Sequence, residues 1–178
     1  MSTDIRIKKG LDLKLVGEAQ ATIATVSRSQ VYSIKPSDFH KVTPKLVLKE
    51  GAEVKAGEVI FYSKDDEAVK FVSPVSGKIV EIKRGEKRKL LEIKILADAE
   101  ITYESFEKFT ESSLKTLTKE TAVALLCKGG VWPQLIQRPF GIVANPQDSP
   151  KAIFISGFDT NPLSPDYAFT LKGEEKAY

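Results

Sequence analysis

Glu50-Gly51-Ala52-Glu53-Val54-Lys55-Ala56-Gly57 and Ser73-Pro74-Val75-Ser76-Gly77-Lys78-Ile79-Val80-Glu81-Ile82-Lys83-Arg84-Gly85 frame the region from Lys45 to Ile95, and the fold follows from it. Each half of that region runs a β-prone apolar series into a charged pair and then a glycine: Val47-Leu48-Lys49-Glu50-Gly51 in the first, Val80-Glu81-Ile82-Lys83-Arg84-Gly85 in the second. Glycine takes positive φ without the clash a Cβ brings, so this punctuation marks strands ending at tight turns. The pattern predicts a small folded-over β-domain whose two halves mirror each other.

Within it, Pro44 to Leu48 reads as a strand, and the apolar, aromatic run Val59-Ile60-Phe61-Tyr62 reads as a buried one. Lys64-Asp65-Asp66-Glu67 has hairpin length, and Val69 to Val72 returns as a strand. The three carboxylates lack the alternating ligands and the glycine of a calcium loop, which favours a solvated tip. Lys78 to Lys83 alternates as a strand and leads into Lys83-Arg84-Gly85-Glu86-Lys87-Arg88-Lys89, where six of seven residues are charged and five are positive. That run is read as a charged hairpin loop before Leu90 to Leu96; a phosphate or anionic-lipid patch is the sharper alternative, and no aromatic residue is interleaved to stack on bases.

Towards the N-terminus, Ile5 to Leu15 alternates as strand, turn and strand around Lys8-Lys9-Gly10. Ala21 to Val31 alternates small and β-branched residues and predicts one or two strands, with Ile23 and Val26 as anchors. Lys35-Pro36-Ser37-Asp38 is a turn, and His40 after it stands alone, without a nucleophile or carboxylate placed against it. Towards the C-terminus the period changes. Thr118 is a helix N-cap with Glu120 in the first turn, Ala122, Val123, Leu125 and Leu126 form the apolar stripe, and Gly129-Gly130 ends the helix. A shorter helix is expected between Tyr103 and Leu117. Cys127, beside the stripe, is read as a small core residue. Val131-Trp132-Pro133 to Arg138-Pro139-Phe140 is a loop dense in proline and aromatics, and Ala152-Ile153-Phe154-Ile155-Ser156-Gly157 predicts a strand buried on both faces. The loop Asp159-Thr160-Asn161-Pro162-Leu163 beyond it stands where functional loops of α/β sheets sit, and reads equally as a site candidate or as a plain turn. One helix and one central strand are too few for a parallel sheet, so the chain reads as a fragment.

The 178 residues suffice for one large or two small domains, and 27 basic against 24 acidic residues give a net charge of +3, too small and mixed to argue for nucleic acid. No apolar run approaches the roughly 20 residues of a membrane span, and Met1-Ser2-Thr3-Asp4 opens no secretory signal. A soluble, cytoplasmic chain is expected, reaching a membrane only through a partner. One cysteine and one histidine argue against a disulfide framework and against transition-metal chemistry.

Gly51-Ala52-Glu53-Val54-Lys55-Ala56-Gly57 and Ser73-Pro74-Val75-Ser76-Gly77 resemble the two turn motifs of the biotinyl/lipoyl-type barrel, over about fifty residues. Families of that kind hang biotin or lipoate on a lysine at the hairpin tip. Counting back from Pro74 by the spacing usual in those families lands on Asp66, which cannot be acylated, and Lys70, in the biotin-like Glu67-Ala68-Val69-Lys70, is too close to Ser73-Pro74 to sit at the tip. A carrier fold without biotin or lipoate follows. Lys8-Lys9-Gly10-Leu11-Asp12-Leu13, the barrel motifs, Arg84-Gly85-Glu86-Lys87-Arg88, Arg138-Pro139-Phe140, and Ala152-Ile153-Phe154 with Asp159 to Leu163, in this order, resemble the N-terminal part of the NqrA family of the Na+-translocating NADH:quinone oxidoreductases.

That resemblance implies an α+β chain: residues 1–99 as a β-rich barrel-sandwich hybrid with its core at 45–95, and 100–178 as a helix plus the first strand of a truncated α/β, Rossmann-like domain. It also implies a peripheral subunit on the cytoplasmic face of the bacterial inner membrane. The complex passes electrons from NADH to quinone and exports Na+; its other subunits, above all an integral membrane one, are the expected partners. This subunit is implicated at the quinone end, with no flavin, iron-sulfur centre or NADH site of its own. No acid, base or nucleophile constellation can be assembled, and the chain alone is not expected to be catalytic. A quinone headgroup wants aromatic walls and hydrogen-bond donors, types that Trp132, Arg138 and Phe140 supply within one loop, for quinone or for a partner, although a structural role is the favoured reading of the same residues. A fainter likeness, to the flavin-binding subunit of respiratory complex I, sets Lys128-Gly129-Gly130-Val131-Trp132-Pro133 where that subunit has a glycine-rich phosphate cradle, and reads as a scaffold that has lost its flavin. The alternatives are a free-standing docking or carrier barrel and, more weakly, an RNA- or lipid-binding protein using residues 83–89.

Overall fold

The computed structural model describes residues 16–17, 20–157, 159, 161 and 164–173. The strands expected between Ile5 and Leu15, and Thr160, Pro162 and Leu163 of the predicted loop, lie outside the described residues. The chain divides into two units: Arg28–Ser149, and a second made of 1–27 and 150–178.

The larger unit holds β1 (Val31–Ile34), β2 (Pro44–Leu46), β3 (Glu53–Val54), β4 (Val59–Ser63), β5 (Lys70–Val72), β6 (Gly77–Arg84) and β7 (Leu90–Ala97), then helices α1 (Glu111–Lys115) and α2 (Lys119–Lys128) and the hairpin β8 (Ile136–Gln137) to β9 (Ile142–Val143). Two antiparallel sheets form the barrel, ordered β1-β7-β6-β3 and β2-β4-β5. The expected mirror of the two halves is visible in the hydrogen bonds that fold one over the other. Gly51 N–H donates to the Ile79 carbonyl and Gly57 N–H to the Ser73 carbonyl, both at 2.8 Å, while Ile79 N–H and Ser73 N–H answer to the Ala52 and Glu58 carbonyls.

Alternation decides the inward face. In β7, Ile93 and Ile95 are fully buried, and the register sets Ile95 beside Ile79 and Tyr32. A register shift between Ile79 and Glu81 leaves Val80 out of the ladder and on the exposed side. From the other sheet come Ile60, Phe61 and Phe71, the two phenylalanine rings stacked at 4.4 Å with Phe39 edge-on to Phe71 at 4.6 Å. Each such side chain contributes about 1.5–3 kcal/mol on full burial.

The tightest point is Gly77, at the start of β6 with φ +154°, where a Cβ would lie 2.0 Å from the Leu96 carbonyl oxygen of the neighbouring strand. A side chain there collides with backbone, which cannot swing aside.

Thr118 caps α2 as expected, its hydroxyl accepting from Thr121 N–H, and Thr110 caps α1 in a reciprocal box with Ser113. The strand expected within Ala21 to Val31 starts only at Val31. β7 ends at Ala97, whose N–H donates to the Gln30 carbonyl, so the chain before Gln30 has run past its ladder partner, and Ile23 and Val26 are exposed.

In the smaller unit, α3 (Tyr167–Thr170) is capped by the Asp166 carboxylate, which accepts from Ala168 and Phe169 N–H. The buried strand expected at 152–157 is corrected: those residues form no strand, and Phe154 and Ile155 are 93% and 88% exposed. A strand buried on both faces needs a sheet to pair with and layers packed on both its faces, and among the described residues no strand pairs with it.

Candidate functional site

The helix α2 meets the barrel at its C-terminal end. Gly129, Gly130 and Val131 N–H groups donate to the Leu125, Cys127 and Leu126 carbonyls at 2.9, 3.3 and 3.0 Å. Gly130 takes φ +69°, and a Cβ on it would stand 2.6 Å from Val72 Cγ2 of β5. The Phe106 ring lies 3.0 Å from where a Cβ on Gly57 would be and 4.0 Å from the same point on Gly129, so it sits between a barrel turn and the helix cap. A phosphate cradle needs backbone N–H groups free to face an anion. Here those amides close the helix and the space above Gly130 is filled by Val72, so the residues do not fit a bound flavin phosphate.

Trp132 differs from Arg138 and Phe140 in burial. Trp132 is 8% exposed and belongs to the barrel's hydrophobic cluster, with its indole N–H donating to the Ala144 carbonyl at 2.7 Å. Arg138 and Phe140 share the turn between β8 and β9, which contains the cis Arg138-Pro139 bond and Gly141 at φ +65°. Both are exposed, Phe140 by 67%. Trp132 thus anchors the base of a hairpin that carries a cation and an aromatic ring at its tip.

At the β4–β5 hairpin the Asp66 carboxylate accepts from Ala68 N–H at 2.9 Å and its carbonyl from Val69 N–H at 3.1 Å, which closes the tip around the aspartate. Lys70 lies in β5 opposite Tyr62, away from the tip. Cys127 is buried, and burial, with the nearby Asp66 charge, pushes its thiol up, so it stays protonated and unreactive at neutral pH. His40 is exposed. Among the described residues no His, Cys, Asp and Glu side chains converge as a metal site, and no helix is long and apolar enough to cross a membrane.

The β6–β7 turn is the chain's electrostatic extreme. Its five cations and one carboxylate, residues 83 to 89, sum to +4 in a chain of net +3, which leaves all other residues together at −1. Lys83 faces Glu92 across the ladder, and Arg84 donates to the Arg88 carbonyl at 3.3 Å. Lys87 and Arg88 adopt left-handed backbone, φ 51° and 60°, in a loop closed by Gly85 N–H on the Lys89 carbonyl. A residue with a Cβ costs about 1–2 kcal/mol in that conformation, where glycine or asparagine is cheaper. The charge is legible in the sequence but this geometry is not, since neither residue is a left-handed former. Nor does the sequence announce the Phe106 wedge or Ser76, whose hydroxyl, fully buried, accepts from Thr102 N–H at 2.9 Å and ties the entry of β6 to the segment leaving β7.

Residues 5–98 match the family model described as the NqrA N-terminal barrel-sandwich hybrid domain, and 117–178 match that of the NqrA second alpha/beta domain. The chain is similar to the A subunit of the Na(+)-translocating NADH-quinone reductase of Marinomonas sp., 34% identical over 97% of this chain and 39% of that one. The same protein of Alcanivorax borkumensis is 35% identical over 98% and 39%, and that of Haemophilus influenzae 36% over 94% and 37%. The chain therefore spans somewhat over a third of the length of the curated relatives it matches. With both matches in chain order, and the first laid on the folded-over barrel described above, the chain belongs to the NqrA family.

Proposed function

We propose that this chain serves as the N-terminal part of a peripheral subunit of a Na+-translocating NADH:quinone reductase, seated on the cytoplasmic face of the membrane at the quinone end, where it docks and spaces and does no bond chemistry. The observation that carries the reading is the β8–β9 hairpin. An aromatic ring and a guanidinium stand exposed at its tip, at Phe140 and Arg138, while Trp132 holds its base in the barrel core. An exposed phenylalanine on an anchored hairpin suits an apolar contact, whether a quinone headgroup or a membrane subunit's surface. The barrel carries no biotin, lipoate or flavin in this reading: Asp66 occupies the hairpin tip, and the Gly129-Gly130 amides are committed to the helix cap. The domain pattern of the reading is a barrel over 1–99 followed by the start of an α/β domain over 100–178.

The test is co-purification of the full-length protein with a membrane complex whose NADH oxidation is Na+-stimulated, followed by photolabelling with an azido-quinone. Labelling near Arg138 and Phe140 supports the reading; labelling confined to other subunits removes quinone from this hairpin, and Phe140→Ala that leaves assembly and labelling unchanged removes the partner role as well.

A further inference from the structure

The geometry points to the β6–β7 turn as a contact for the anionic headgroups of a phospholipid bilayer. Three observations converge on it. The turn carries a net +4 while the remainder of the chain sums to −1, so the positive field is concentrated at one hairpin end. The hairpin also outruns its sheet. The β1 ladder on β7 stops at Ile93 and the β3 ladder on β6 covers only Gly77 and Lys78, which leaves Lys83 to Leu90 as a two-stranded finger. Finally, Lys87 and Arg88 hold left-handed backbone that glycine or asparagine would take at lower cost, and with Lys89 they are exposed and form no salt bridge among the described residues. An unfavourable conformation filled by two cations, in a turn any short polar loop could close, marks the cations themselves as what the turn supplies.

A bilayer is favoured over an acidic protein segment by the form of the patch. The cations are spread along a two-stranded finger, and the open groove beside it sets the Glu50 carboxylate next to Lys49 and Arg84 along an apolar wall of Leu46, Leu48 and Ile82, so it offers an acidic peptide no uniformly basic seat. Point charges without shape complementarity suit a headgroup layer, where each basic side chain near an anionic surface contributes about 1 kcal/mol. The inference rests on the reading that the chain works beside a membrane, but its test needs no other subunit.

Full-length protein is mixed with phosphatidylcholine vesicles with and without about a third phosphatidylglycerol, at low and physiological salt. Binding is expected only to the anionic vesicles, and Lys87→Asn with Arg88→Gly lowers it about thirtyfold, the equivalent of two cations, while the thermal midpoint holds or rises because both replacements favour left-handed backbone. Arg84→Gln with Lys89→Gln, at positions without that backbone constraint, lowers it comparably, and the charge-conserving Lys87→Arg with Arg88→Lys retains it. Equal binding to neutral vesicles, no binding at low salt, or unchanged binding by both neutralised variants overturns the assignment. So does a wild-type protein that ignores vesicles while the neutralised variants lose the detergent-solubilised complex, which would give the finger a protein partner.

Discussion

Gly77→Ala should be among the most destabilising single-methyl additions in the barrel. The added Cβ would lie 2.0 Å from the Leu96 carbonyl oxygen, 2.8 Å from its carbon and 2.9 Å from Ala97 Cα, all backbone of the strand that pairs with β6. Relief requires separating β6 from β7 where Gly77 also pairs with Val54 of β3, so one methyl disturbs two ladders. Overpacking of this kind costs about 1–3 kcal/mol, and holding a non-glycine residue at φ +154° adds about 1–3 more. A total of about 2–6 kcal/mol is a large part of the roughly 5–15 typical of a domain. Gly51→Ala is the control: its φ is +87°, but nothing lies within 4 Å of the new Cβ, so only the conformational cost of about 1 kcal/mol remains. The assay is urea unfolding followed by the fluorescence of Trp132, the sole tryptophan, buried where the hairpin meets the barrel. With a slope of about 2 kcal/mol per molar, Gly77→Ala lowers the midpoint by about 1–3 M and Gly51→Ala by about 0.5 M. Equal midpoints for the two variants would refute the steric argument, whereas a Gly77→Ala chain that does not fold agrees with it.

Gly130→Ala should destabilise by about 1–3 kcal/mol, because it meets Val72 Cγ2 at 2.6 Å and stands at φ +69°. Unlike Gly77, its obstacle is a side chain, so Val72→Ala should relieve part of the loss, and a double-mutant cycle that shows no coupling would place the helix cap elsewhere. Acid titration tests the edge of the sheet. The Ser33 hydroxyl, donating to Glu92 at 2.6 Å, holds the Glu92 carboxyl below its ordinary 4.5, with Lys94, Lys35 and Lys83 assisting. A depressed carboxyl stabilises the fold above the unfolded value and loses that contribution as pH falls through the folded one. The stability gap between wild type and Ser33→Ala should therefore be flat near neutrality and shrink as pH falls below 4.5; a gap independent of pH would dissociate Ser33 from Glu92.

Local features were readable from the residues alone. Gly51 and Gly57 announce turns because tolerance of positive φ belongs to the residue, the alternation of Lys78 to Lys83 and Leu90 to Leu96 announces a hairpin, and Thr118 with Gly129-Gly130 brackets a helix. The placement of Asp66 at the hairpin tip and of Lys70 off it came from the spacing that the barrel resemblance implies, and the folded hairpin agrees, with Asp66 closing the tip and Lys70 paired in the ladder with Tyr62. Whatever depends on a partner distant in sequence had to wait for the folded chain. Trp132 and Cys127 carry no local sign that they complete a barrel core more than thirty residues back, and the diglycine that resembles a phosphate cradle is a helix cap only because Val72 lies above it. The same holds for Ala152 to Gly157, which has the composition of a buried strand and forms none: propensity describes the residue, but a strand needs neighbours on its edges. The mirrored region from Lys45 to Ile95 was legible because most of its ladders pair strands within it, and the hairpin from Ile136 to Val143 was not, because its anchoring contacts lie in the barrel.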